Sequence, residues 1–272
     1  MTAGGIDSMV VGRSMSRRVF FATAALIFVV SAAVTIAWYR SMAAMPGMVM
    51  PGGWIMSMAW MPMPGQSWAG MAVSFLGMWA VMMPAMMLPA LMPVLWRYRE
   101  TLAQSGRARP GWLTLQAGLG YFLVWILLGV VIFPVGVVLA ALAMDRPDLS
   151  RSVPLAAGLL VMGAGALQFT AWKQRQLACC RSTPDGRCFL REDAGAAWAC
   201  GIRLGFRCVA CCAGLVAILL VIGDMDLGAM IIVAVAITAE RVLPGGERVA
   251  QIIGIAAVTT GLLMIARAAG IT

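Results

Sequence analysis

Apolar residues fall into seven runs separated by short polar segments that carry arginine. The runs cover roughly 19–38, 71–95, 112–140, 153–172, 204–223, 227–243 and 249–266. Within each run the hydrophobic side chains follow one another without alternation, the pattern of a buried helix rather than of a barrel strand. Runs of about 20 residues match a hydrocarbon core of about 30 Å. The expected fold class is therefore all-α: a polytopic transmembrane helical bundle of about seven spans. The third run, extended from Gly111 to Met144, exceeds one straight crossing, and Pro134 is expected to kink it or to leave its end on the interface. The sixth run is short and ends at Glu240 and Arg241.

The polar segments orient the runs. With the N-terminus on the cytoplasmic side, the inner segments hold Arg13, Arg17, Arg18, Arg97, Arg99, Arg107, Arg109, Lys173, Arg175, Arg181, Arg187, Arg191, Arg203, Arg207, Arg241 and Arg248. The outer segments hold Arg40, Arg146, Arg151 and Arg267. Sixteen against four is a strong positive-inside bias. Val19 to Trp38 is long for a signal-peptide core and is expected to be retained as the first helix. The organisation read from this is a cytoplasmic N-terminal segment (1–18), a first transmembrane helix with a Met-rich outer loop (19–70), and a helical membrane domain with a cytoplasmic cysteine-containing segment (71–267).

Composition agrees with lipid as the solvent. Of 272 residues, 62% are hydrophobic and 11% charged, and the mean hydropathy is +0.90; soluble domains are about one-quarter charged. The net charge of +9 resides in the segments between runs, and no stretch interleaves aromatic and basic residues as a nucleic-acid binder does. The partners expected are the lipid bilayer, a copper-carrying protein or other membrane subunits, and no nucleic acid.

Sulfur dominates the candidate chemistry. The outer loop carries Met42, Met45, Met48, Met50, Met56, Met58, Met61 and Met63 within 22 residues, broken by prolines and glycines that argue against regular structure. Thioether is a soft neutral ligand suited to Cu(I). The same loop also reads as an interface anchor using Trp54, Trp60 and Trp68. In the second run Met78, Met82 and Met86 share one helical face, and Met83 and Met87 form a second pair beside them. Pro84, Pro89 and Pro93 interrupt the backbone hydrogen-bond ladder, which is tolerated where the segment lines other helices or a cavity. Such a stripe serves either as packing filler or as a ligand set.

All seven cysteines lie between 179 and 212: Cys179, Cys180, Cys188, Cys200, Cys208, Cys211 and Cys212. On the cytosolic side they are expected to be reduced, without a disulfide framework. Cys208, Cys211 and Cys212 share a helical face, and Cys179 and Cys180 end the preceding run, so the two groups are expected to meet at the inner membrane surface. Arg175, Arg181, Arg203 and Arg207 are expected to surround them and favour thiolate. Buried structural cysteines are the alternative.

The chain has no histidine, the usual ligand for zinc, iron, nickel and Cu(II). A sulfur-only inventory selects Cu(I) first and zinc second. There is no P-loop and no evident catalytic triad, so no enzyme is expected. Gln116 and Gln168 are expected to make hydrogen bonds between helices, and Asp224 and Asp226 to sit in a solvated turn.

Several motifs resemble those of a bacterial family of predicted metal-binding integral membrane proteins, a domain of unknown function. The resemblance covers roughly residues 70–267 and is carried by MWAVMMPAMMLP (78–89), GYFLVW (120–125), Gly165, Gln168, Lys173 and Cys180 to Pro184, CVACC (208–212) and the tail GDMDLGAM…AERVLPGGE. Gln176 stands where family members commonly carry Cys, and Ala213 where they carry Trp. The resemblance implies a multi-span helical protein of the bacterial cytoplasmic membrane with a metal site and no established enzymatic activity.

The leading expectation is a membrane protein that binds Cu(I) in transport, handover or storage. Its expected metal ligands are Cys179, Cys180, Cys208, Cys211 and Cys212 with Met78, Met82, Met83, Met86 and Met87. The alternatives are a non-catalytic structural or accessory subunit of a membrane complex and, more remotely, a thiol redox protein using Cys208, Cys211 and Cys212.

Overall fold

The computed structural model describes residues 3–43, 47–56, 60, 65–106, 109–182, 194–222 and 226–270, with side chains in the first helix described from Met15 to Met42. Met45, Met58, Met61, Met63, Arg107, Thr183, Pro184, Arg187, Cys188, Arg191 and Asp224 lie outside the described residues. The side chain of Arg13 does too.

The described residues form eight α-helices and one short β-ribbon: α1 Ala3–Ala43, β1 Met48–Val49, β2 Ile55–Met56, α2 Trp68–Gln104, α3 Pro110–Asp145, α4 Pro147–Leu167, α5 Ala171–Arg181, α6 Ala194–Ile222, α7 Leu227–Val242 and α8 Gly246–Ala268. This is the all-α bundle expected from the runs. Six of these helices, α1, α2, α3, α4, α6 and α8, are long and apolar enough to cross a membrane. The sixth expected span, α7, has 16 residues and falls short of that length. It packs against α2, α6 and α8 instead of standing at the periphery. Large apolar side chains of α1, α3 and α8 point outward, including Leu26, Val131 and Ile252. Exposed apolar surface on this scale suits lipid rather than water.

The prolines stand inside the helices without ending them. Pro84, Pro89 and Pro93 lie inside the unbroken α2, and Pro134 lies inside α3. Each removes one backbone N–H, but α2 is packed on both sides by α1, α3 and α7, and that packing holds the segment helical.

The outer loop also departs from expectation. Met48 pairs with Met56 and Val49 with Ile55 in an antiparallel ribbon. Met50 and Met56 are buried against Ala140 and Ala143 near the end of α3. The Trp54 indole donates to the Ser150 carbonyl at 3.0 Å, and Ser150 Oγ donates to the Pro51 carbonyl at 3.0 Å. The loop is thus fastened to the start of α4. Of its three tryptophans only Trp68 is exposed; Trp54 and Trp60 pack inward.

Two helix pairs approach closely through glycine. In α4 and α8, Gly158 and Gly165 face Gly261 and Gly254, so that a Cβ on Gly165 would stand 2.9 Å from the Gly254 carbonyl oxygen. In α3 and α6, Gly201 lies against the Ala117 carbonyl, and a Cβ on Gly205 would stand 2.8 Å from the Val124 Cβ. The second contact decides how near Tyr121 of α3 comes to the cysteines of α6.

Candidate metal centre

α6 presents Cys208, Cys211 and Cys212 to the interior because residues three and four apart share a helical face. All three are buried, with relative exposures of 0%, 3% and 1%. α5 brings a fourth sulfur. The chain breaks after Leu167, Thr170 caps the new helix through Lys173 N, and α5 then runs along α6. Its Cys180 is buried and donates to the Arg207 carbonyl at 3.3 Å.

Two of the sulfur atoms approach each other directly. Cys208 and Cys212 Sγ are 3.9 Å apart, and Cys180 and Cys211 belong to the same buried cluster. Among the described residues, no group of three His, Cys, Asp or Glu side chains is arranged to hold a metal ion. Cys179 does not join this cluster: it is exposed, whereas its neighbour Cys180 is buried. Cys200 is disulfide-bonded, so the expectation of uniformly reduced cysteines fails there; Cys179, Cys180, Cys208, Cys211 and Cys212 are free.

Tyr121 of α3 donates its hydroxyl to Cys208 Sγ at 2.9 Å, and Arg241 of α7 donates from Nη1 to the same sulfur at 3.0 Å. Of the arginines expected around the cysteines, Arg175, Arg181 and Arg203 do other things. Arg175 and Arg203 are exposed. Arg181 donates to the Glu240 and Leu243 carbonyls at 3.3 and 2.6 Å, closing the C-terminal end of α7, where a cation is favoured by the helix dipole.

Beneath the sulfur atoms lies a buried ion pair. Lys173 Nζ stands 2.7 Å from Glu240 Oε2 and donates to the Cys211 carbonyl at 2.8 Å. Gln168 donates to Glu240 Oε1 at 3.0 Å, which is the interhelical bond expected of it. Burial works against the lysine charge, but the pull of Cys211 and Glu240 outweighs it and holds the Lys173 ammonium above its ordinary pKa. Gln116, by contrast, leaves Oε1 buried with no hydrogen-bond partner among the described residues. Asp226 is not simply a solvated turn residue, because its carboxylate caps α7 by accepting from Ala229 N at 2.9 Å.

The methionines of α2 line the same interior. Met78, Met82, Met83, Met86 and Met87 are all buried and belong to one cluster with Cys180, Cys208, Cys211 and Cys212. Trp79 donates to the Trp125 carbonyl at 2.8 Å, fixing α2 against α3 about one helical turn from Tyr121. Met82 and Met86 also lie on the wall of a groove of about 480 Å³ between α1, α2 and α7, where Met230 joins them.

Tyr121, Met230 and the Lys173–Glu240 pair were not among the expected site residues. Tyr121 lies within GYFLVW and Lys173 within the segment preceding CRSTP, but neither motif says that its polar group turns inward. Glu240 and Arg241 carried the visible signal, adjacent ionisable residues at the end of an apolar run.

The protein-family comparison matches residues 76–264 to PpoB2, described as a copper chaperone. The matched stretch holds every cysteine and all five of the α2 methionines considered above. No curated protein and no solved structure gives a match.

Proposed function

The chain belongs to this copper chaperone family, and from that premise we propose that it binds Cu(I) within a membrane and hands it on through sulfur ligands. The observation that carries the reading is the meeting of four free, buried cysteines from two helices beside a buried methionine stripe. Cu(I) is a soft ion that accepts two sulfur ligands, and the chain offers thioethers and thiols with no histidine.

In this reading Cys180, Cys208, Cys211 and Cys212 form the receiving centre. Met78, Met82, Met83, Met86 and Met87 form the approach to it. Neutral thioethers hold Cu(I) less firmly than thiolates, so affinity rises toward the cysteines and favours movement in that direction without a motor. Copper is cargo here, and no covalent step is required of the protein. The arginine distribution supports a multi-pass protein of the bacterial cytoplasmic membrane with the cysteines on the inner side. A protein that delivers or accepts copper is the partner this role requires.

The test is a Cu(I) competition titration of the full-length protein, purified in detergent under anaerobic, reducing conditions. The triple variant Cys208→Ser, Cys211→Ser, Cys212→Ser is expected to lose at least one bound copper per chain. Unchanged stoichiometry would remove those residues from the centre, and elemental analysis showing zinc in place of copper would overturn the choice of ion.

A further inference from the structure

Arg241 occupies an unusual electrostatic position. Its side chain is more than nine-tenths buried, and its Nε has no hydrogen-bond partner among the described residues. The neighbouring carboxylate is already taken, because Glu240 accepts from both Lys173 and Gln168. Among the described residues, the ionisable groups with printed contacts at the cysteines are Lys173 and Glu240, which cancel, and Arg241, which does not. From the other packed elements, α3 contributes the neutral Tyr121, and Arg181 of α5 is committed to the carbonyls that end α7. A buried guanidinium with no carboxylate is costly unless an anion meets it. The group that does meet it is Cys208 Sγ.

We propose that Arg241 is the specificity-determining counter-cation of the metal centre, balancing a metal–thiolate unit of net charge minus one. Cu(I) held by two thiolates carries that charge: each cysteine gives up its thiol proton to water, and one positive ion replaces the two protons. Cys208 and Cys212, at 3.9 Å, are the pair that Arg241 addresses, and an ion about 2.3 Å from each sulfur spans that gap. Zn(II) bound by four thiolates carries minus two and would leave one charge unbalanced in a buried site. This inference rests on the copper-binding reading and adds to it the residue that sets which ion and how many thiolates the centre accepts.

The test uses Cu(I) itself, in competition with a chromophoric Cu(I) chelator, and Zn(II) in parallel, on full-length protein in detergent. Arg241→Met is expected to weaken Cu(I) binding by about tenfold or more, the usual effect of losing a hydrogen bond to a charged group. Arg241→Lys is expected to stay close to wild type. The double variant Arg241→Met, Glu240→Gln frees Lys173 to balance the same charge and is expected to recover most of the lost affinity. A purely structural role for Arg241 would not produce that recovery.

Undiminished Cu(I) binding by Arg241→Met would overturn the proposal. So would a monodisperse double variant that binds as weakly as Arg241→Met, and the double variant set against wild type decides the matter where the single variant does not fold. Wild-type protein that takes up no Cu(I) would overturn the copper reading as well, which separates the two failures.

Discussion

Lys173 of α5 and Glu240 of α7 form an ion pair of 2.7 Å with both side chains closed to solvent. Removing one partner strands the other, which typically costs about 3–5 kcal/mol, whereas replacing both is often near neutral. Lys173→Met is therefore expected to lower the thermal unfolding temperature in detergent sharply, and Lys173→Met with Glu240→Met to recover most of it. Equal losses in the single and double variants would show that the pair is not coupled. Because the lysine pKa is raised in the folded protein, its contribution is complete below the ordinary lysine value near 10.5 and is lost only as the pH climbs through the higher folded value. The wild-type minus variant difference in stability should accordingly stay flat from neutral pH to about pH 10.

Cys179 and Cys180 are adjacent in sequence and opposite in environment. Cys180→Ser is expected to weaken Cu(I) binding, and Cys179→Ser to leave it within twofold of wild type, roughly 0.4 kcal/mol. The same competition titration reads both, and a larger loss for Cys179→Ser would mean that α5 turns its other side to the metal.

The exposure of Cys179 also makes it a reporter of sidedness. In sealed inner-membrane vesicles of known orientation, a membrane-impermeant maleimide is expected to label Cys179 only from the cytoplasmic face. Labelling from the opposite face would reverse the orientation drawn from the arginines.

Tyr121 touches the sulfur cluster through a single hydroxyl. Tyr121→Phe keeps the ring and removes the bond to Cys208, so a loss of about 0.5–1.5 kcal/mol in stability is expected. Gly205→Ala acts on the same contact from the other helix. Its added Cβ meets Val124 and the Tyr121 carbonyl, forcing α3 and α6 apart at about 1–3 kcal/mol. Chemical or thermal unfolding of each variant in detergent checks both values, and a neutral Gly205→Ala would show that the helices separate freely.

Much of this architecture was legible because lipid imposes a coarse and regular code. The apolar runs located the long helices, and the i, i+3, i+4 spacing of Cys208, Cys211 and Cys212 placed three sulfur atoms on one face. Gln168 was read as an interhelical donor and is one. The errors came where tertiary packing decides. The loop around Met48–Met56 read as irregular, because a two-residue ribbon gives no periodicity to detect. Arg175, Arg181 and Arg203 were assigned to the cysteines for their nearness in sequence, whereas a guanidinium that meets Cys208 belongs to Arg241, 33 positions away. No spacing rule reports such a distance.

α5 is pinned at both of its ends. Lys173 ties its start to Glu240, and at its finish Arg181 grips the last carbonyls of α7 while its own carbonyl accepts from Arg97. An eleven-residue helix held this way behaves as a latch rather than a hinge: Cys180 cannot withdraw from its partners unless the charge pair and the terminal clasp let go together. Exchange of cargo at the sulfur cluster would then proceed by sudden release of the whole segment, with no intermediate stops.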